Sequence, residues 1–263
     1  MAGEARRPTK VNPSDPTPAY LQIANDLRSA IEANELPHGA LLPSLRTMER
    51  DYGAAGGTVR RALDQLVAEG LIYARQGQGI FVRRPRRILR DGSRRHLQSV
   101  RPSGTGPMEA EASTQGFVRA QTGIVVTTES AAGEVADRLG VEHGTPTLRR
   151  DMILTLDDEP AGLVSSWFPT VLVAGSVIAR PERVPGGVHA ELVRIIGALG
   201  DATEELVARM PTPGESTALR LPGGTPVVEL WRTIPAQDGT PVEITRFIYD
   251  GSRYRFAYTV PVD

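Results

Sequence analysis

The 263-residue chain is predicted to be an α+β protein of two domains, a helical unit ending in a β-hairpin followed by an antiparallel sheet. Apolar residues recur at helical spacing across residues 18–69 and then give way to two short strands around a glycine turn. From about Met108 the pattern becomes one of strands, and a unit of helix, strand, turn and strand occurs twice. Charge divides near the same place. Residues 1–106 carry 17 Lys+Arg against 10 Asp+Glu, net +7, and the remaining 157 carry 13 against 21, net −8. A polyanion partner is therefore expected for the front half alone.

Composition removes several function classes. The absence of cysteine excludes disulfides, thiolate metal sites and cysteine catalysis together. His38, His96, His143 and His189 are scattered without ligand spacing, so no metal and no cofactor is expected. No 18-residue apolar run occurs and the N-terminus carries no hydrophobic signal region. The expectation is a cytoplasmic protein with no membrane partner.

Residues 1–17, polar and proline-rich, read as a flexible tail. Pro18 opens a first helix that carries Tyr20, Ile23, Leu27 and Ile31 and stops at Leu36-Pro37-His38-Gly39. Ser44 is placed to N-cap a second helix with Leu45, Met48 and Tyr52, ended by Gly53. A third helix starts at Gly56-Gly57, with Val59, Leu63, Leu66 and Val67 as its apolar stripe and Thr58, Arg60, Arg61, Asp64 and Gln65 facing outward. The two glycines leave its first N–H groups open to an anion. The strands 71–75 and 80–83 flank a turn at 76–79. Three helices and such a wing make a winged helix-turn-helix.

The segments LPHGALLPS, YG, TVRRAL, LVAEGLI and RQGQGIFV then carry a resemblance. Residues 18–83 resemble the N-terminal domain of the GntR family of bacterial transcription regulators. The resemblance implies double-stranded DNA as partner. It implies base contacts from Arg46 of the P-S-x-R segment and Arg60 of T-V-R. Contacts near the phosphates are implied for Gly57, Thr58 and Arg61, and an approach of the wing to the minor groove through Arg75, Gln76, Gly77, Gln78 and Gly79. Arginine suits the base-reading role because its planar fork pairs bidentately with guanine, at roughly 1–3 kcal/mol of discrimination. The chain departs from the family pattern twice. Gly56-Gly57 stand where relatives often carry arginine or proline before T-V-R, which puts the usual operator sequence in doubt. Thr47 stands where a glutamate commonly closes a capping box with the serine.

Residues 84–114 are read as an arginine-rich linker. Counted from Arg83, the arginines are 83, 84, 86, 87, 90, 94, 95 and 101, opposed up to residue 107 by Asp91 alone. They are expected to add attraction to DNA of any sequence.

In the back half, Gly144 to Phe168 and Gly224 to Tyr249 repeat one pattern, with Gly-Thr-Pro at the head of each and Pro160 and Pro241 opening each second strand. An amphipathic helix over 189–199 lies between them. The pieces ADRLGVEHGTP, DDEPAGLVSSWFP, GGTPVVELWR and GTPVEITRFIYDGSRYRF resemble the UTRA domain of the HutC branch of GntR regulators over about residues 115–260, which predicts a domain over 115–263. That resemblance implies a chorismate-lyase-like antiparallel sheet, a small-molecule effector and a homodimer formed through this domain. Effector contacts would come from Arg149 or Arg150, Ser165 or Ser166, Glu243 and Tyr254. Strand neighbours point to opposite faces, so only one of each pair can serve. Arginine and hydroxyls suit a phosphorylated sugar or a carboxylate.

No Ser-His-Asp set, metal set or acid pair is present, so no catalytic residue is assigned and an enzyme is not expected. The function implied is a repressor released from a palindromic operator by its effector. The alternative is a constitutive GntR repressor without an effector, such as those of plasmid-transfer genes; a lyase-like enzyme stands behind both.

Overall fold

The computed structural model describes residues 8–75, 77–83, 87–93, 107–260 and 262. They fall into two compact units, 1–86 with 222–225 and 87–221 with 226–263.

In the first unit α1 (Ala19–Glu32), α2 (Leu45–Tyr52) and α3 (Gly56–Ala68) pack around one core. α1 buries Ile23, Leu27 and Ile31 at the expected period. α2 begins under the Ser44 side chain, which accepts the Thr47 N–H at 3.2 Å. The Thr47 hydroxyl bonds Ser44 Oγ at 2.8 Å, so a hydroxyl replaces the reciprocal glutamate. Gly53 ends α2 in the left-handed region at φ 64°, a conformation that glycine adopts without the Cβ penalty. α3 buries Val59, Ala62, Leu63 and Leu66. Val67, expected in the stripe, stays exposed, and Ala62 takes the inner position because it sits on the same face as Val59 and Leu66. β1 (Ile72–Arg75) and β2 (Gly79–Val82) form the wing, with Tyr73 opposite Phe81. The Ala40–Leu42 segment adds backbone bonds to β2, Leu42 N–H to Ile80 at 2.8 Å and Val82 N–H to Ala40 at 2.9 Å.

The second unit opens with β3 (Ile88–Asp91) and α4 (Pro107–Thr114). Within 84–114, read as linker, residues 88–91 and 107–114 are thus elements of this unit, while 84–86 and 94–106 lie outside the described residues. β3 pairs in parallel with the last strand of the chain, and a partner so distant leaves no local signal in four residues. Then come β4 (Arg119–Ser130), α5 (Glu134–Leu139), β5 (Pro146–Leu156), β6 (Glu159–Pro169), the short α6 (Thr170–Val173) and a 3-10 turn Val177–Ala179. α7 (Val188–Ile196), β7 (Thr203–Arg209), α8 (Pro213–Leu219), β8 (Val227–Pro235), β9 (Pro241–Asp250) and β10 (Tyr254–Ala257) complete it.

The six-stranded sheet runs β4-β5-β6-β9-β8-β7, antiparallel throughout. β6 and β9 lie at its centre, and each is flanked by its hairpin partner and then by an edge strand. The repeat is therefore longer than its sequence signal, a strand, helix, strand and strand in each half. The two halves also exchange helices, α5 packing on β9 and α8 on β6. Both hairpins use polar turns; Asp157 and Asp158 reach positive φ of 52° and 63°, conformations that aspartate tolerates.

Candidate DNA interface and effector cavity

On the first unit, α3 presents Arg60 and Arg61 to solvent, with Thr58 half-buried and Gly57 exposed at the helix start. The N-cap is Ala55 and no side chain caps the helix, so its leading N–H groups are not satisfied from Ala55. The Glu49 carboxylate reaches over Gly56 so closely that a Cβ there would collide with it. An anion thus already stands by this terminus. Arg46 is exposed on α2. The exposed Arg61 guanidinium stacks over the Tyr20 ring at 4.0 Å. At the wing tip Gly77, Gln78 and Gly79 are exposed, Gly77 and Gly79 at positive φ. Arg75 ends β1; Gln76 lies outside the described residues.

Among the described residues the arginines of the expected linker differ in their surroundings. Arg90 is buried at 1% exposure, bound by Glu204 through both oxygens and by the Tyr258 hydroxyl at 3.2 Å. Burial and the Glu204 charge push the Tyr258 hydroxyl up to about 12. Arg87 donates to the Ser252 carbonyl at 3.2 Å. Arg84, Arg86, Arg94, Arg95 and Arg101 lie outside the described residues. Sequence-independent attraction from Arg90 is ruled out, since a guanidinium already paired and dry cannot neutralise a phosphate.

On the second unit one face of the sheet holds a cavity of about 280 Å³. Strand register builds it in rows. Arg150 on β5 faces Ser166 on β6, Ser166 faces Thr245 on β9, and Thr245 faces Arg232 on β8. Two residues along, Met152, Val164 and Phe247 make a parallel apolar row. Thr245 donates to Glu243 Oε1 at 2.6 Å, which leaves Ser166 to donate to Thr245 at 2.8 Å. Arg232 Nη2 also reaches Glu243 Oε1, at 3.0 Å, and His189 Nε2 stands 3.2 Å from Oε2. Burial alone pushes the Glu243 carboxyl up, but His189 and Arg232 outweigh it and hold it well below the usual carboxylate range.

Arg150 is buried against backbone, donating to the carbonyls of Ile178 (3.3 Å), Arg180 (2.6 Å) and Glu182. Burial pulls its guanidinium below the ordinary arginine value. Arg119, at the start of β4, lines the same space; burial lowers it too, opposed by Tyr254, Tyr249, Glu109 and Glu111. The Nε atoms of Arg150 and Arg232 are buried with no hydrogen-bond partner. Arg90 Nε and Arg253 Nε and Nη1, away from the cavity, are in the same state among the described residues.

The sheet resolves both ambiguous pairs. Arg150 and Ser166 line the cavity, while Arg149 and Ser165 lie on the opposite face. There Ser165 Oγ donates to Asp151 at 2.5 Å, and Arg149 pairs with Asp151 at 2.9 Å and stacks on Trp167. Glu243 lines the cavity. Tyr254 is outside it, packed on Tyr249 with ring centroids 4.3 Å apart, in a small pocket that shares only Met108 and Arg119 with the larger one. Arg119, Arg232, His189 and Thr245 were not anticipated from sequence. Arg232 and Thr245 do alternate in phase with the strand partners they face, but that phase is visible only once the strand order is known.

Residues 19–82 match the bacterial regulatory proteins of the gntR family, and residues 115–255 match the UTRA domain. The chain belongs to the GntR family, in its UTRA-bearing branch. The transcriptional repressor NagR of Bacillus subtilis (strain 168) is 31% identical over 248 residues, 94% of this chain and 97% of NagR. A solved structure described as a GntR-family transcriptional regulator superposes with a TM-score of 0.58 at 31% identity, covering 94% of this chain and 99% of its own. PhnF from Mycobacterium smegmatis has the same fold, with a TM-score of 0.56 at 23% identity over 91% of this chain and 99% of PhnF. This GntR protein is thus a transcriptional regulator with a DNA-binding helix-turn-helix domain and an effector-binding UTRA domain. Its relatives are regulators, not enzymes. Among the described residues no helix is long and apolar enough to cross a membrane.

Proposed function

We propose that this regulator is a repressor that holds a palindromic operator as a homodimer and leaves it when a small anion, a phosphorylated sugar or a carboxylate, enters the cavity of the sheet. The observation that carries this reading is the convergence of Arg119, Arg150, Arg183 and Arg232 on one cavity of the sheet. Guanidinium donors bind phosphate and carboxylate with charge-assisted bonds, and hydroxyls such as Ser166 add orientation. Glu243, ionised and central, offers an acceptor for a hydroxyl or ammonium group on the same ligand. NagR, similar along nearly the whole chain, is named a repressor.

On DNA, Arg46 and Arg60 read bases, Thr58, Arg61 and the Gly57 backbone meet phosphates, and Arg75 to Gly79 approach the minor groove. A dimer presents two such units to half-sites one helical turn apart or a multiple of it. The effector acts by binding the arrangement that does not fit the operator more tightly than the one that does.

The test is a thermal-shift screen of phosphorylated sugars, carboxylates and their neutral parents on the full chain. At least one anionic compound should raise Tm while its neutral parent does not. A response confined to neutral compounds, or none at all, would remove the anion reading.

A further inference from the structure

Met108 and Glu109, in the first turn of α4, help to wall the cavity although they precede the residues that match the UTRA domain. Glu109 is paired with Arg183 Nη2, and Arg183, in the loop after the 3-10 turn, lines the same cavity. α4 is in turn tied to β3. Glu111 accepts the Asp91 N–H at 2.7 Å, and the Gln115 amide bonds both the N–H and the carbonyl of Leu89, each at 2.7 Å. Ala112 is buried with Ile88, Phe117 and Leu156. β3 follows the wing after only five residues of chain. α4, bonded to β3, is therefore also a wall of the cavity.

The clasp is weak by its surroundings. Arg183 is 62% exposed and Glu109 36%, and an ion pair so placed shifts an equilibrium by a factor of about five at most. A phosphate or carboxylate offers stronger, charge-assisted bonds and repels Glu109 at the same time. Arg150 and Arg232, by contrast, are buried and held by protein acceptors. An arriving anion can recruit Arg183 at less cost than Arg150 or Arg232.

We propose that Arg183 is a further effector-binding residue, paired with Glu109, and that an anionic effector takes it over by displacing Glu109 and with it the first turn of α4. The proposal rests on reading this cavity as an anion site. Effector occupancy is then sensed by α4 and, through Glu111 and Gln115, by β3.

Glu109→Gln in the full chain keeps the shape of the side chain and removes its charge. Hydrogen–deuterium exchange of the α4 amides should speed up in this variant with no ligand present. Calorimetry with inorganic phosphate should show a Kd about two- to fivefold lower than wild type, and Arg183→Gln should instead weaken phosphate binding. Unchanged exchange in α4 overturns the clasp without reference to any ligand. Arg150→Gln separates this from the reading beneath it. Loss of phosphate binding in Arg150→Gln, with Glu109→Gln equal to wild type in both measurements, leaves the anion site standing and removes the clasp. Equal phosphate binding by wild type and Arg150→Gln removes the anion site itself.

Discussion

Arg149 and Arg150 are chemically identical neighbours with opposite fates, which the period of a strand dictates. Arg150 donates to three backbone carbonyls in a dry site, whereas Arg149 is 36% exposed beside Asp151. Truncating the first strands buried acceptors, so Arg150→Ala should lower stability by about 1–3 kcal/mol in urea unfolding, and Arg149→Ala by less than about 1 kcal/mol. On the DNA side the same residue type acts by different physics. Arg60→Ala should cost about 1–3 kcal/mol at the matched base and relax specificity there, read by binding to operator and mismatched duplexes. Arg61→Ala should weaken all duplexes alike and reduce the slope of log K against log salt by about 1. A wild-type operator affinity in Arg60→Ala would displace α3 from its reading role.

Among the elements, those with a local cause were legible and those with a distant partner were not. α1, α2 and α3 follow from apolar spacing, the Ser44 cap and the Gly53 stop, and the two hairpins from their polar turns. β3 was hidden because its stability comes from β10 and from Arg90 sealed against Glu204, neither of which has a signature in Ile88–Asp91. Removing one partner of that pair leaves a buried charge, so Glu204→Gln should cost about 3–5 kcal/mol, more than the pair is worth to the fold. α8 carries a different load. Thr212 and Glu215 close a capping box, and Glu215 also takes two bonds from Arg209, at 2.7 and 2.8 Å. Arg209 is the main cause that holds the Glu215 carboxyl down to about 2. A carboxylate lowered by folding stabilises the fold above the ordinary carboxylate range and loses that contribution as pH falls towards about 2. Thermal unfolding between pH 5 and pH 2, a window on the order of the usual carboxylate titration, should be steeper in pH for wild type than for Glu215→Gln. Equal slopes would show that Glu215 is not the group responsible.

Across the whole molecule, the two units divide the work along the charge boundary already visible in the sequence, a basic front and an acidic back. What the chain alone could not supply was the face of each strand. Arg150, Ser166, Thr245 and Arg232 are spread over 96 positions and meet only because β5, β6, β9 and β8 lie in that order. The most direct measurement of the account is operator binding by fluorescence anisotropy, with anionic metabolites titrated into wild type and Arg150→Gln. The account predicts that at least one phosphorylated or carboxylated compound raises the operator Kd of wild type by about tenfold, a coupling in the usual range for allosteric proteins, and leaves Arg150→Gln bound. Release that proceeds equally in Arg150→Gln, or an operator Kd that no anion changes, would contradict it.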